Sequence, residues 1–432
     1  MVKVITYGTF DLLHYGHIKL LERAKALGDY LIVGVTADDF DKSRGKINVQ
    51  QSLMERVEAV KATNIADEII IEEYEGQKID DIRRLDIDIF TVGSDWKGKF
   101  DYLGKYCQVV YLNRTEGVSS SDIRSKMNKL QIGLVGESHI LEKFEKECEY
   151  VNGIEVSGYY SERPDLLNIK CDKRYSTYED LLKDVDALYI ISHPTKHYEH
   201  IKLALMNHKH VICESPIALQ QIEAKELFEL AKRKKCVLMD GIKTAYSTAF
   251  SRLLLLVKSG RIGKVVSVDA TCTSLENLSN VDYSVRWNSM TQWGPTALLP
   301  IFELLGTDYS DYQSFSSFLN EKLHYDVFTR ISFTYPNAVA SIKVGNGIKS
   351  EGDLIVSGEK GYIYVPSPWW KTDYFEIRFE DAAKNRRYFY QLDGEGIRYE
   401  IVTFLKMIEN NGFDSYIDKK TTLCISRIME RF

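Results

Sequence analysis

Two histidines three residues apart, His14 and His17, come directly after a short apolar run that ends in Gly8-Thr9-Phe10-Asp11. Spaced i and i+3 at the opening of a helical pattern, their imidazoles point the same way. Gly16 between them lets a phosphate approach the backbone closely. The start of a helix adds exposed N–H groups and partial positive charge. Together these groups suit an α-phosphate under attack, where negative charge builds up and imidazoles can donate hydrogen bonds to it. The competing reading makes one histidine a turn residue and the other a satisfied core group. An H-x-G-H set immediately after the first strand favours the phosphate.

Three further groups would complete such a site. Lys42-Ser43-Arg44-Gly45-Lys46 places three cations in five positions around a glycine. A loop of that make-up can fold over a triphosphate and screen its charge, with Lys46 and Arg44 as the candidates; a solvated loop has the same composition. Arg56, on the next helical stretch, is a weaker candidate for that role. Arg114-Thr115-Glu116-Gly117-Val118-Ser119-Ser120-Ser121 precedes a helical pattern at 122–127. Hydroxyls and N–H groups there would hold phosphate oxygens with Arg114 as a cationic clamp, although serine is also an ordinary N-cap. Gly93-Ser94-Asp95-Trp96 closes a strand-like run and offers a carboxylate and an indole to a base or an acceptor, unless Trp96 is packing.

A frame must bring these groups to one edge. Short β-branched runs at Val2–Tyr7, Leu31–Thr36, Glu68–Ile71, Asp88–Val92 and Gln108–Leu112 alternate with helical spacing at Ile18–Leu27 and Ser52–Lys61. This pattern predicts an α/β domain with a parallel sheet, whose ligands gather at the carboxyl ends of the strands. A second start follows at Gln131–Gly136, with strands at Ile154–Tyr160, Ala187–Ser192 and His210–Cys213 and helices near His139–Tyr150, Tyr198–Asn207 and Gln221–Arg233. Beyond Gly263, alternating runs at Lys264–Ser274, Asp326–Tyr335, Ala338–Val344, Asp353–Ser357, Gly361–Val365 and Tyr374–Phe379 predict an antiparallel sheet, closed by a helix near Gly396–Glu409. The expected domains are 1–129, 130–260 and 261–432.

Composition narrows the function classes. The 432 residues are 44% hydrophobic and 27% charged, enough for buried cores. A net charge of −6 argues against a general nucleic-acid binder, and the apolar runs are too short to span a bilayer. Seven cysteines are scattered singly without a CxxC pair, which fits a reducing cytoplasm, and the N-terminus lacks a signal-peptide layout. Which residues would hold a metal stays open.

GTFDLLHYGH, GSDWKGKFD and RTEGVSSS, in that order, closely resemble the glycerol-3-phosphate cytidylyltransferases within the wider HxGH nucleotidyltransferase superfamily. The resemblance covers residues 1–129. It implies a Rossmann-like nucleotidyltransferase fold and attack of an alditol phosphate on the α-phosphate of CTP, giving a CDP-alditol and pyrophosphate with Mg²⁺ assisting. Carried over by motif, His14 and His17 would stabilise the transition state. Lys46 and Arg44 would bind the triphosphate, while Arg114, Thr115, Gly117, Ser119 and Ser120 would hold phosphates and ribose. Gly8, Thr9, Phe10, Asp11, Gly16, Gly93, Asp95 and Trp96 would help place nucleotide, metal or acceptor. Serine stands at Ser94 and Ser120, where the family usually has an acid and a threonine.

From Gln131 onward the chain resembles the Gfo/Idh/MocA oxidoreductases, in HVICESP (210–216) and GRIGKV (260–265). The resemblance implies a second Rossmann-like domain followed by an α+β domain with a large antiparallel sheet. It points to Gly136, Ser138, His197, Glu214 and Ser215 as dinucleotide-side residues. Three features argue against hydride transfer. The G-x-G-x-x-G fingerprint keeps only Gly136, with Glu137 bringing like charge to the pyrophosphate. The family's E-K-P lysine is Ser215. The family's acid/base residue falls near Thr296, a poor general acid. Lys243 and Tyr246 could supply a replacement cation and phenol, or simply border the core.

The expected function is transfer of CMP from CTP to a small polyol phosphate, glycerol 3-phosphate first, for cell-surface polymer synthesis, with a degenerate second module. A bifunctional enzyme, whose second half reduces a keto or aldehyde sugar phosphate with NAD(P)H, is the alternative; a non-catalytic nucleotide-binding assembly protein is the other. Both families imply a homo-oligomer.

Overall fold

The computed structural model describes residues 1–37, 49, 51–74, 76–113, 129–390, 392–409 and 416–432. The chain divides into two units, Met1–Asn128 and Lys129–Phe432. In the first, β1 (Lys3–Gly8), α1 (Tyr15–Lys25), β2 (Tyr30–Thr36), α2 (Leu53–Ala62), β3 (Glu68–Glu72), α3 (Gln77–Leu85), β4 (Ile89–Gly93) and β5 (Gln108–Leu112) follow one another. Alternation along β1 and β2 sends Val4, Leu31, Val33 and Val35 to a core shared with Leu21 of α1 and Val60 of α2. Ile5, Tyr7 and Ile32 go to the opposite core with Ile82 and Phe90, as a period of two requires.

The five strands pair in parallel in the order β3-β2-β1-β4-β5. The chain winds outward from β1 to β3, then crosses to start again at β4. Direction therefore reverses between β1 and β4, and the crevice outside their carboxyl ends is the natural ligand site of such a sheet. Gly8 and Gly93 end those two strands.

The second unit opens with β6 (Leu130–Gly136), α4 (Ile140–Cys148), β7 (Ile154–Tyr160), α5 (Tyr178–Asp184), β8 (Ala187–Ile191), α6 (Pro194–Met206), β9 (His210–Glu214), α7 (Gln221–Lys234) and β10 (Leu238–Gly241). Its parallel sheet runs β10-β9-β8-β6-β7. After α8 (Thr248–Lys258) come β11 (Val265–Thr273), α9 (Ser289–Leu305), β12 (Asp311–Asn320), β13 (Tyr325–Tyr335), β14 (Ala338–Gly345), β15 (Leu354–Gly358), β16 (Tyr362–Val365), β17 (Tyr374–Arg378), β18 (Arg386–Phe389), α10 (Ile397–Glu409) and α11 (Lys419–Met429). β11 to β18 form one sheet in the order β12-β13-β14-β11-β15-β16-β17-β18. Its pairs are antiparallel except β11 with β14, which run parallel. The expected large antiparallel sheet is therefore present, with one parallel pair inside it; α9 packs on β11, β13 and β14.

Sequence periodicity misses α3, α5, α8, α9, α11, β10, β12 and β18. α9 contains Pro295 and Pro300, which normally end a helix, yet most of its surface is buried. β12 is an edge strand, largely exposed, so it carries no apolar alternation. Among the described residues no helix is long and apolar enough to cross a membrane.

Gly136 closes β6 with φ +136, and a Cβ there would meet the Ile191 carbonyl carbon at 2.5 Å. Gly136→Ala should therefore destabilise the chain by roughly 1–3 kcal/mol through backbone overpacking, measured as the shift in urea unfolding followed by circular dichroism.

Candidate functional site

The turn from β1 into α1 is tightly tied. His14 is the N-cap of α1, and its Nδ1 accepts the Gly16 N–H at 3.1 Å. A neutral His14 ring then carries its proton on Nε2, which is left as the donor. α1 begins at Tyr15, three residues before the expected start, so His17 lies in its first turn. The two imidazoles stack with centroids 3.9 Å apart and planes 22° apart. Phe10, buried at 2%, sets its ring edge-on to His17 at 5.6 Å. A Cβ on Gly8 would stand 3.0 Å from that same ring, so a larger residue there would press on Phe10. Phe10 and Leu12 both take positive φ, +54 and +48, a strained backbone for bulky side chains.

Polar contacts hold that strain. The Leu12 N–H donates to Gln51 Oε1 at 2.8 Å, and the Gln51 N–H donates to Asp11 Oδ1 at 3.0 Å. Arg56, on α2, is fully buried; its Nη1 donates to the carbonyls of Thr9 (2.7 Å) and Thr36 (2.8 Å), and its Nε to Gln51 (3.1 Å). This corrects the expectation that Arg56 binds triphosphate. Its guanidinium lies under the turn and positions it.

Beside the turn, Tyr7, Gly8, Thr9, Thr36, Glu72, Lys78, Val92, Trp96 and Phe100 enclose a small cavity. Lys78 pairs with Glu72, which also accepts from the Thr36 hydroxyl at 2.9 Å. The Lys78 ammonium stands 4.6 Å from the Tyr7 ring centroid and 5.5 Å from that of Phe100. Tyr7 donates to Asp81 at 2.9 Å, and burial with the Asp81 charge keeps its phenol protonated. Sequence reading missed Lys78. Its signal was a cation in the first turn of α3, where it opposes the helix dipole.

Gly93 leads into a one-turn segment, Ser94–Trp96. Asp95 is exposed there, while Trp96 lines the cavity against Phe100, with centroids 5.8 Å apart. His14, Gly16, His17, Gly8, Thr9, Phe10, Asp11, Gly93 and Trp96 thus share the β1/β4 edge. Arg44, Lys46, Arg114, Thr115, Gly117, Ser119 and Ser120 lie outside the described residues.

The second unit holds a cleft of about 560 Å³, lined by Glu137, Ser138, Glu214 and Ser215 from the strand ends and by Lys243, Trp287, Trp293, Thr296 and Trp370 from later segments. Gly136 and His197 are not among its walls. Gly136 is a glycine for contact with β8 rather than with a ligand. His197 is fully buried, its nitrogens 2.8 Å from Pro216 O and 2.7 Å from Ser192 O, and burial pushes it down to about 4. It ties two loops together instead of meeting a dinucleotide. Tyr246 is also core, donating to Asp240 O at 2.5 Å. Lys243 does face the cleft.

Glu137 accepts the Glu162 N–H at 3.3 Å, and burial raises its carboxyl. Glu214 accepts from Tyr189 at 2.6 Å, and it too is raised by burial. Opposite them, Glu395 lies 3.1 Å from the ammonium groups of Lys143 and Lys371 and 3.7 Å from that of Lys243. Burial works to raise its carboxyl, but the three lysines outweigh burial and hold it at about 2.

Residues 5–126 match the Cytidylyltransferase-like family, and residues 133–242 match the oxidoreductase family with an NAD-binding Rossmann fold. The glycerol-3-phosphate cytidylyltransferase of Bacillus spizizenii is 52% identical over 130 residues, 30% of this chain and 100% of that protein. The Staphylococcus aureus protein of that name is 45% identical over 127 residues, 29% of this chain and 96% of that one. A 3-ketoreductase from Actinomadura kijaniata, solved with NADP, superposes with TM-score 0.61 at 17% identity, over 70% of this chain and 96% of that chain. A UDP-N-acetylglucosamine 3-dehydrogenase from Acidithiobacillus ferrooxidans gives 0.57 at 16%, over 71% and 97%. At such identities these two structures speak for the fold of the second unit alone.

Arg56→Met should cost roughly 1–3 kcal/mol for each buried carbonyl it leaves without a donor. The full chain should unfold at lower urea and lose turnover in parallel, because the turn loses its anchor.

Proposed function

The chain belongs to the cytidylyltransferase-like family through its first unit, its second unit being a Gfo/Idh/MocA oxidoreductase domain, and from that premise we propose that it transfers CMP from CTP to a small alditol phosphate. The observation that carries this reading is the stacked imidazole pair at the first turn of α1, on the edge where the sheet reverses direction. An acceptor phosphate oxygen attacks the α-phosphorus, the bond to the β-phosphate oxygen breaks, and a CDP-alditol and pyrophosphate result. Charge grows on the α-phosphoryl oxygens, where the Nε2–H of His14 and the His17 ring donate. Lys78, steadied by Glu72, offers its ammonium to the phosphate of the acceptor. Lys46, Arg44, Arg114, Thr115, Gly117, Ser119 and Ser120 hold the triphosphate and ribose, and Asp95 and Trp96 help to seat base or acceptor; Mg²⁺ bound with CTP would screen the triphosphate charge.

Glycerol 3-phosphate is the acceptor that the Bacillus and Staphylococcus relatives are named for, and it is our first choice. The product would feed a cell-surface polymer of polyol phosphate units from the cytoplasm, the enzyme working as a homo-oligomer.

A nicotinamide dinucleotide would be supplied to the second unit as a hydride carrier, and the residues present do not fit it. Glu137 brings a carboxylate where the fingerprint's second glycine lets a pyrophosphate approach. Ser215 and Thr296 face the cleft where a lysine and an acid/base residue are needed. We therefore read the unit as having lost hydride transfer. Titration with NADPH up to millimolar concentration should give no saturable binding, and saturation would restore the bifunctional reading.

His14→Asn keeps an N-cap acceptor and removes the imidazole. Pyrophosphate release from CTP and glycerol 3-phosphate should fall about 10²–10³-fold, the usual loss for one transition-state donor, with unfolding little changed. Unchanged turnover would overturn the assignment. Running the same assay across a panel of polyol phosphates identifies the acceptor.

A further inference from the structure

Lys143 comes from α4, Lys243 from the segment after β10, and Lys371 from the one-turn segment Trp369–Lys371. Three separate parts of the chain thus deliver an ammonium to one point inside the cleft, and what meets them there is the carboxylate of Glu395. Within 4 Å the three ammonium groups share the single carboxylate of Glu395, with Glu214 and buried Glu400 acting on Lys243 from further off, so ammonium groups outnumber carboxylates at the seat itself. A phosphate monoester dianion has three acceptor oxygens and matches that charge better than a carboxylate does. Glu395 reaches the seat from Gly394-Glu395-Gly396, whose three φ angles are +54, +54 and +95. The flanking glycines tolerate this conformation; Glu395 is strained in it. An internal anion held in place by strained backbone is a ready group to displace.

The rest of the cleft describes what the phosphate is attached to. At about 560 Å³ the cavity is far larger than a phosphate and within the range of small-molecule sites. Trp287, Trp293 and Trp370 line it, the last two with ring centroids 5.0 Å apart, and Gln292 and Thr296 add uncharged polar groups. Indole faces suit the C–H surfaces of a polyhydroxy chain or ring, and amide and hydroxyl groups suit its oxygens.

We propose that this cleft binds the phosphate monoester of a small polyhydroxy compound, its phosphate taking the place of the Glu395 carboxylate among Lys143, Lys243 and Lys371. The binding does not depend on the reaction assigned to the first unit. It also gives a role to a roomy, lysine-bearing cleft whose dinucleotide fingerprint retains only Gly136.

The test uses the full chain carrying Trp96→Phe, so that the four remaining tryptophans all belong to the second unit. Emission is followed during titration with glycerol 3-phosphate, ribulose 5-phosphate, glycerol, inorganic phosphate and NADP⁺. At least one of the two esters should give a saturable change. Lys243→Met and Lys371→Met should each weaken it at least tenfold, and Glu395→Gln, which removes the internal competitor, should tighten it several-fold. Should the lysine variants fail to fold, by circular dichroism, the isosteric Glu395→Gln variant decides alone. Four results overturn the proposal: neither ester saturates, glycerol or inorganic phosphate binds as tightly as the esters, NADP⁺ alone shows the dependence on Glu395, or Glu395→Gln fails to tighten binding.

Discussion

A buried guanidinium under the β1–α1 turn is the tie on which the first unit's site depends. Arg56 gives its hydrogen bonds to the carbonyls of Thr9, Thr36 and Gln51. A charge taken out of water is costly unless its donors are matched, so these carbonyls fix the side chain as firmly as it fixes them. One end of the contact is the strand carrying Gly8, another is the end of β2, and the third is the entry to α2. Through it the turn stays closed although Phe10 and Leu12 both sit in left-handed backbone. The stacked histidines inherit their geometry from that closure, since Phe10 packs against His17 while His14 caps the helix that His17 begins.

The second unit spends its charges differently. Its parallel sheet and strand-end cleft belong to an oxidoreductase fold, yet the groups at the cleft are a carboxylate at Glu137, a serine at Ser215 and a cluster of three lysines around Glu395. The fold does not by itself fix the chemistry, which rests on the groups at the cleft. His197, a candidate ligand group in the sequence, is sealed in the core, where it holds Ser192 and Pro216 together.

Much of this was legible before any coordinates. The strand runs of the first unit are local, β-branched and separated by helical spacing, so periodicity finds them to within a residue or two. The H-x-G-H set is also local, and its placement after a strand is enough to aim both rings at one edge. Elements whose sequence contradicts their environment were not legible. α9 carries two prolines inside a helix because burial on almost every side outweighs the lost backbone bonds. β12 exposes most of its length and so lacks the alternation that marks a half-buried strand.

The sequence alone determined the two fold classes, the paired imidazoles and the missing fingerprint glycines, because each is written in residues close together along the chain. Only the tertiary structure decided that Arg56 is an anchor and not a ligand group, that Lys78 stands at the cavity, and that Lys143, Lys243, Lys371 and Glu395 meet. Those outcomes depend on which distant segments fold against one another. Burial and charge pairing between residues tens to hundreds of positions apart leave no periodic trace in the chain.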